Sequence, residues 1–298
     1  MSLISILLLS WNHEEYIEQC INSCLNQSYT KFEIIYVDNC SSDKTYQIAT
    51  ALLKESGIVY KAFKNDEPKS ISKNLNFLFS ESSGEYVVPL STDDWLAPDF
   101  LEKKIEYLIL HKEVGMLSNG GWIYYQNSGR YELVDSSNFK RGKITRNILK
   151  EKKVLFYVGC CYKRDIIEKL QGWDENLLLE DGDMFFRISE VSVIDYIDEP
   201  IVYYRKTNNS ISNNVGFMVK GYEQYYKKYK YIKWFNMRHW LAEKYRSYAE
   251  VSLGNGNPNT ALKLILKSIQ YKPFDYRIYK MLALAFKKFL AALFHWKN

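Results

Sequence analysis

The chain is predicted to be an α/β protein with a mostly parallel central sheet, helices on both faces of that sheet, and an α-helical C-terminal region. Two observations support this fold class. Short apolar runs of strand length alternate with amphipathic helical patterns through the first hundred residues, and such alternation is typical of βαβ units. From residue 217 onward the pattern is almost entirely helical.

The elements follow in order along the chain. Strands are predicted at residues 3–9, 32–37, 58–63 and 86–90, because each is a short apolar or β-branched run bounded by polar residues. Helices are predicted between them, ending near Leu25 and Gly57 and spanning residues 72–80, and another opens at Phe100. Further on, strands are predicted at 115–125 and 154–162, and a helix at 180–189.

Composition divides the chain at about residue 216. The 298 residues are 47% hydrophobic, which is enough for a sizeable core. Residues 217–298 hold 16 Lys and Arg against 4 Asp and Glu, whereas residues 1–216 hold 24 against 31. We therefore expect two regions with different roles, residues 1–216 and residues 217–298.

The five cysteines and the apolar runs bear on the cellular location. The cysteines form no C-x-x-C pair and lack a matching His/Cys set, which argues against zinc. Cys20 and Cys24 lie four residues apart on a predicted helix and are expected to be buried apolar residues. No signal peptide and no apolar stretch of about 18 residues is visible. These features indicate a cytoplasmic protein with reduced thiols.

Small polar residues end three of the predicted strands. Ser10 and Asn12 end the first, Asp38 and Asn39 the second, and Asp93 and Asp94 follow the run at 86–90. Ligands of open α/β sheets bind beyond the carboxyl ends of the strands. Two acids there can hold a divalent cation, and the cation can hold a diphosphate. The alternative is that Asp93 and Asp94 merely cap the next helix.

A second acidic cluster opens the helix predicted at 180–189. Glu180 and Asp181 stand at its start, where carboxylates stabilise the positive end of the helix dipole. Alternatively, one of these carboxylates is a general base that faces a nucleotide sugar.

Taken together, these segments resemble the inverting glycosyltransferases of family 2, which have the GT-A fold. The resemblance covers roughly residues 2–215 and rests on five motifs in order. They are ISILLLSWN at 4–12, IIYVDNCSSD at 34–43, Lys73-Asn74 in place of an Arg-Asn pair, GEYVVPLSTDD at 84–94 in place of a D-x-D-D block, and Glu180-Asp181 as the E-D motif.

The resemblance implies a role for each matched residue. Asp38 would contact the nucleotide base, Asp93 the ribose or the metal, and Asp94 would be the main metal ligand. Asp181 would be the general base, and Glu180 would shape the acceptor site. Ser10, Asn12, Asn39 and Lys73 would complete the nucleotide site.

The family resemblance also implies a reaction. Members of the family use a nucleotide-diphosphate sugar donor with Mn²⁺ or Mg²⁺, and they invert the anomeric centre in one displacement. The expected acceptor is a saccharide or a lipid-linked saccharide, in the assembly of a surface polysaccharide of the O-antigen or capsule type.

Two positions depart from the family pattern. Ser91 stands where an Asp is frequent, and Thr207 stands where the closing segment YYRKTNNSIS at 203–212 would carry a His. Arg205 or Lys206 would then neutralise the diphosphate, and metal dependence would be weaker than is usual. Because of these two departures, an alternative function remains, namely that of a catalytically inactive nucleotide-sugar binder or assembly scaffold. A nucleotidyltransferase is disfavoured, because no glycine-rich basic loop follows the first strand.

The basic, aromatic C-terminal region allows three interpretations. It is a solvated helical face whose aromatic residues pack on the main domain, or a peripheral contact with an anionic bilayer on the cytoplasmic face of the inner membrane. The third, nucleic-acid binding, is disfavoured because no recognisable motif accompanies the charge.

Overall fold

The computed structural model describes residues 2–150, 155–207 and 210–295. It divides into two compact units, one of residues up to 176 together with 180–207, and one of residues 177–179 together with the chain from 208 onward. The predicted division at residue 216 stays a prediction.

The first unit alternates strands and helices as expected. Its strands are β1 Ile4–Ser10, β2 Phe32–Asp38, β3 Tyr60–Lys64, β4 Tyr86–Ser91, β5 Trp95–Leu96, β6 Val114–Tyr125, β7 Arg130–Leu133, β8 Cys161–Lys163 and β9 Val193–Lys206. Its helices are α1 Ile17–Leu25, α2 Thr45–Glu55, α3 Ile71–Glu81, α4 Phe100–Leu110, α5 Thr145–Lys150, α6 Arg164–Lys169 and α7 Glu180–Val191.

The described strands form one mixed sheet in the order β3-β2-β1-β4-β8-β6-β9-β5, with β7 paired to β6. The half containing β1 to β4 is parallel, and β6 and β9 form a further long parallel pair. Strand β8 runs antiparallel between β4 and β6, and β5 runs antiparallel along β9. Parallel pairing therefore covers most of the paired length.

Two apolar layers cover the sheet. On one face, Ile4, Ile6 and Leu8 of β1 pack with α1, α2 and α4, and on the other, Leu7 packs with α3, α6 and α7. This alternation follows from the strand period of two. The buried residues Ile17, Cys20, Ile21 and Cys24 form one stripe of α1, as expected for a helix packed on a sheet. The predicted α/β class with helices on both faces is confirmed.

The strand predicted at 154–162 is wrong over most of its length. Residue 154 lies outside the described part of the chain, residues 155–160 form a loop, and only Cys161–Lys163 pair as a strand. Gly159 has φ +70°, a left-handed conformation that does not occur within an extended strand. The loop is held by side chains instead, since Ser118 Oγ donates to the carbonyl of Phe156 at 2.7 Å.

The second unit contains the helices α8 Val215–Tyr229, α9 Met237–Gly254, α10 Pro258–Tyr271 and α11 Tyr276–His295. Three of them begin at an asparagine whose side chain accepts from a backbone N–H three residues on, namely Asn214, Asn236 and Asn257. Several aromatic residues of this region pack on one another, as in the stacked pair Tyr225–Trp240. Within the described residues, no helix has the length and hydropathy that a bilayer crossing requires.

Candidate active site

The carboxyl ends of β1 and β2 hold a buried acid. Asp38, which is fully buried, is the last residue of β2 and lies in register with Ser10 of β1. Ser10 Oγ donates to Asp38 Oδ2 at 3.2 Å, and the backbone N–H of Ser41 donates to Asp38 Oδ1 at 2.8 Å. Ser10 Oγ also lies 2.9 Å from the hydroxyl of Tyr36. Ser10 thus orients the acid rather than standing free at the rim.

Asn12 and Asn39 shape the loops that follow these two strands. Asn12 adopts φ +54°, and its Oδ1 accepts from the backbone N–H of Ser42 at 2.9 Å. Asn39 Oδ1 accepts from Asn65 Nδ2 at 2.9 Å and from the backbone N–H of Lys69 at 2.8 Å. Both side chains tie one loop to another, so the rim around Asp38 is held in one geometry.

Asp93 and Asp94 follow β4, and they differ in environment. Asp94 is only 4% exposed, and its Oδ1 accepts from the backbone N–H of Arg205 at 2.8 Å. Asp93 is half-buried. Burial raises the pKa of Asp94 well above its usual range, and the neighbouring charge of Asp93 raises it further. Two acids therefore lie side by side, and burial together with their mutual repulsion favours the neutral form of Asp94.

Arg205 lies beside this pair, at the end of β9. Its Nε donates to the carbonyl of Asp93 at 2.8 Å, and its other nitrogens donate to the side-chain oxygens of Gln126 and Gln19. The guanidinium also lies 4.6 Å from the ring centre of Trp95. Arg205 is 4% exposed, so it brings a fixed positive charge to the pair, while its donors are already bonded to protein oxygens.

Among the described residues, neither the side chain of Lys206 nor that of Lys73 bonds to Asp93, Asp94 or Arg205. Lys206 is exposed and lies over the ring of Tyr125 at 5.5 Å, because consecutive strand residues point to opposite faces. Lys73 is exposed on the first turn of α3, where its backbone N–H bonds Ser70 Oγ. Both stay predictions as ligands of the nucleotide or the phosphates.

His13 belongs to this site, although the sequence did not single it out. Its Nδ1 lies 2.9 Å from Thr92 Oγ1, next to Asp93. Burial lowers the pKa of His13, while the charges of Asp93, Asp43 and Asp38 oppose that change and Arg205 reinforces it. The imidazole thus lies within electrostatic reach of both acidic strand ends. Its position directly after Asn12, at the end of β1, was the available signal.

Glu180 and Asp181 form the first turn of α7. Both residues are half-buried. Burial raises the pKa of Asp181 to about 6, and burial together with the charge of Asp181 raises the pKa of Glu180. Asp181 also raises the pKa values of Tyr157 and Cys160, so it lies near the loop at 155–160. A carboxyl group with a pKa near neutrality is suited to accept a proton.

The loop at 155–160 connects this acid to the strand ends. Strand β8 pairs antiparallel to β4, with Tyr162 opposite Val87, so the residues before β8 run toward the carboxyl end of β4. Asp93 and Asp94 follow that same end. The topology therefore places Asp181 and the Asp93–Asp94 pair at one edge of the sheet.

The donor set at this edge fits a divalent cation only in part. Within the described residues, no group of three or more His, Cys, Asp and Glu side chains is arranged to hold a metal. Two adjacent carboxyl groups do suit a cation, because a bound cation would favour their ionised forms. Mg²⁺ commonly binds through one or two carboxylates, and substrate phosphates and water complete its shell. Asp93 and Asp94 are the residues that would hold such an ion.

This chain is similar in sequence to several known proteins. The sequence profile of "Glycosyl transferase family 2" matches residues 5–171. An uncharacterized glycosyltransferase of Haemophilus influenzae is 32% identical over 138 residues, which is 46% of this chain and 54% of that protein. The uncharacterized glycosyltransferase MJ1057 of Methanocaldococcus jannaschii is 25% identical over 82% of this chain and 81% of its own length. The O-antigen biosynthesis glycosyltransferase WbnJ of Escherichia coli is 25% identical over 70% of this chain and 82% of its own length.

Solved structures share the fold. S. aureus TarS (residues 1–349, in complex with UDP-GlcNAc) superposes with a TM-score of 0.67 at 18% identity, covering 97% of this chain and 88% of that chain. The mannosyltransferase PcManGT from Pyrobaculum calidifontis, in complex with GDP-Man and Mn²⁺, gives a TM-score of 0.57 at 17% identity, covering 97% of this chain and 86% of that chain. These likenesses confirm the predicted GT-A type of fold. Because the family profile matches more than half of the sequence, the chain belongs to glycosyl transferase family 2.

Proposed function

We propose that this glycosyltransferase moves a sugar from a nucleotide-diphosphate sugar to a saccharide or lipid-linked acceptor, with inversion at the anomeric carbon. The observation that carries the proposal is the position of Asp38, His13, Asp93 and Asp94 beyond the carboxyl ends of the adjacent strands β2, β1 and β4, with Arg205 of β9 bonded to the two aspartates. In α/β sheets, this is where nucleotides bind. The similarity to TarS and PcManGT, which were solved with UDP-GlcNAc and GDP-Man, is consistent with such a donor.

In the proposed reaction, Asp38 contacts the nucleotide base and Asp93 the ribose. Asp181 takes the proton from an acceptor hydroxyl as its oxygen bonds to the anomeric carbon. The bond between that carbon and the diphosphate oxygen breaks from the opposite side, and the diphosphate leaves with the electron pair. Mn²⁺ or Mg²⁺ held by Asp93 and Asp94 would offset the charge of the leaving group. Arg205 adds a fixed positive charge nearby.

We place the reaction in the assembly of a surface polysaccharide, at the cytoplasmic face of a membrane. The similarity to WbnJ, an O-antigen biosynthesis glycosyltransferase, supports this assignment. In this proposal residues 1–216 carry out catalysis, and the basic region at 217–298 contacts anionic lipid. Exposed Phe286 next to exposed Lys287 and Lys288 on α11 suits such a contact.

The second candidate function is a nucleotide-sugar binder without catalysis. Two observations favour it, namely the small donor set for a cation and the backbone N–H of Arg205 that already occupies Asp94 Oδ1. Ser91 and Thr207, which replace expected metal-site residues, point the same way.

A thermal-shift panel separates these possibilities. UDP, GDP, CDP and dTDP are each added with and without Mn²⁺, because a ligand that binds the native state raises its melting temperature. Stabilisation by one diphosphate that needs Mn²⁺, and that is lost in Asp94→Asn, supports the proposed site. Stabilisation without Mn²⁺ points to Arg205 as the group that balances the phosphate charge. Binding without turnover on any acceptor favours the second candidate, and no shift with any nucleotide contradicts both.

A further inference from the structure

An aromatic cleft lies directly beside the Asp93–Asp94 pair and has no role in the reaction as described above. Its volume is about 510 Å³, within the range of small-molecule sites. It is lined by the residues Trp95, Leu96, Ala97, Pro98, Trp122, Tyr131 and Tyr203. All of them belong to the first unit.

Strand register explains why the rings gather on one face. Trp95 of β5 pairs with Tyr203 of β9, and Tyr203 pairs with Trp122 of β6. Residues paired across strands point to the same face of a sheet. Two residues further along β9, Arg205 pairs with Tyr124 of β6, and Tyr124 pairs with Tyr131 of β7. The β5-β9-β6-β7 part of the sheet therefore presents two adjacent rows of aromatic residues with one arginine among them.

The aromatic rings pack against one another along the sides of the cleft. Trp95 and Tyr203 stack with ring centres 4.9 Å apart and planes 4° from parallel. Tyr131 stands edge-on to Tyr203 at 6.2 Å and is 51% exposed. Within the described part of the chain, the hydroxyls of Tyr131 and Tyr203 bond no protein group. The cleft thus offers ring faces and unbonded hydroxyls together.

The cleft adjoins the acidic pair through Trp95, which is the one residue that both lines the cleft and contacts Arg205 among those described. Trp95 directly follows Asp94 in the chain, and its ring lies between Tyr203, at 4.9 Å, and the guanidinium of Arg205, at 4.6 Å. Arg205 in turn bonds both aspartates, through its own backbone N–H to Asp94 and through its side chain to the carbonyl of Asp93. The ring of Trp95 thus stands between the tyrosine of the cleft and the arginine that bonds the two aspartates.

We propose that this cleft binds a pyranose ring of the saccharide acceptor, an inference that rests on the proposed function. One face of a pyranose presents C–H groups, which pack on the electron-rich face of an aromatic ring, while its hydroxyls point sideways to polar partners. The exposed ring of Tyr131 and the free tyrosine hydroxyls match both requirements. An aliphatic lipid chain would use the rings but would leave the hydroxyls without partners.

The test is saturation-transfer difference NMR on the full chain. The probes are the methyl glycosides of glucose, galactose, mannose, rhamnose and N-acetylglucosamine, with citronellyl phosphate as a lipid probe. We expect at least one glycoside to receive saturation, mainly at the C–H protons of one ring face. In Tyr131→Ala and in Trp122→Ala, its dissociation constant should rise about tenfold, because a stacking face is lost.

Two further variants make the test specific. Tyr131→Phe keeps the ring and loses only the hydroxyl, so binding should weaken less than in Tyr131→Ala. Tyr231→Ala removes a tyrosine that is 77% exposed in the helical unit, and glycoside binding should not change. Because Tyr131 is exposed, Tyr131→Ala is expected to fold even where Trp122→Ala does not.

Three results would overturn the proposal, namely no saturation of any glycoside, equal binding by wild type and Tyr131→Ala, or saturation of citronellyl phosphate alone. Nucleoside diphosphate binding, measured by thermal shift on the same samples, reports separately on the proposed function. If glycosides bind and no nucleotide does, the donor site is wrong, and the cleft is a saccharide site that is not the acceptor site of the proposed reaction. If nucleotides bind and no glycoside does, the cleft assignment alone fails.

Discussion

The assignment of Asp181 as the general base makes the sharpest prediction about this enzyme. Replacing Asp181 with Asn removes the proton acceptor while keeping nearly the same size and shape. General-base catalysis contributes roughly 10²- to 10⁴-fold to rates. We therefore expect Asp181→Asn to lose at least about a hundredfold in turnover. Nucleotide binding should be unchanged, because Asp38, Asp93 and Asp94 do not depend on this residue.

The structure also predicts the pH at which the wild-type enzyme loses activity. Burial raises the pKa of Asp181 from 3.8 to about 6. The ionised form is the base, so activity is present above that pKa and is lost as the pH falls through it. At pH 5 only about one molecule in eleven carries the ionised group, so kcat/KM should fall about tenfold between pH 7 and pH 5. With an ordinary aspartate the profile would stay flat over that range.

The assay measures the nucleoside diphosphate that is released from a nucleotide sugar between pH 4.5 and 8, with a saccharide or water as nucleophile. Thermal unfolding at each pH separates loss of ionisation from loss of fold. Glu190→Gln is the matched control, because Glu190 lies on the same helix α7 and is exposed. Its profile should coincide with that of the wild type.

Two results would refute the reasoning. If Asp181→Asn kept more than about a hundredth of wild-type turnover, Asp181 would not be the base. If the variant retained low activity but still showed the same inflection near pH 6, another group would be responsible for the titration.

Three further predictions concern stability. Asp94→Asn should keep or raise the melting temperature of the ligand-free protein. The amide oxygen can still accept from the N–H of Arg205, and the repulsion from Asp93 disappears. A clear fall in the melting temperature would contradict this reasoning. Arg205→Lys should lower the unfolding free energy, measured by urea titration, by about 2–4 kcal/mol. The lysine loses most of three side-chain hydrogen bonds and the ring contact with Trp95. An unchanged urea midpoint of unfolding would show that these bonds contribute little to stability. Gly84→Ala would place its Cβ 2.6 Å from the backbone N of Ser5, and should destabilise by about 3 kcal/mol or more. The control Gly57→Ala has open space at φ +70°, and should cost only about 1 kcal/mol.

Elements with strong local patterns were predicted well. The apolar run of β1 and the stripe Ile17, Cys20, Ile21 and Cys24 on α1 carry their periodicity in the sequence itself. The motif order also led to the correct family. The strand predicted at 154–162 was wrong because a run of apolar residues shows burial and does not show whether the backbone pairs with another strand.

The site was predicted in part. Asp38, Asp93 and Asp94 were expected together because the ends of parallel strands meet at one edge. The role of Arg205 as a fixed charge with its donors already bonded was not foreseen. It depends on Gln19 and Gln126, which are distant from it in sequence. His13 was likewise missed, because its partner Thr92 is 79 residues away.

By itself, the sequence determined the fold class, the family and the acidic residues at the strand ends. These depend on local periodicity and on the spacing of a few residues. Only the tertiary structure decided which side chains are buried, which carboxyl groups have raised pKa values, and that Trp95, Trp122, Tyr131 and Tyr203 gather in one cleft. The physical reason is that burial and cross-strand register arise from segments far apart in the chain, which meet only when the sheet has formed.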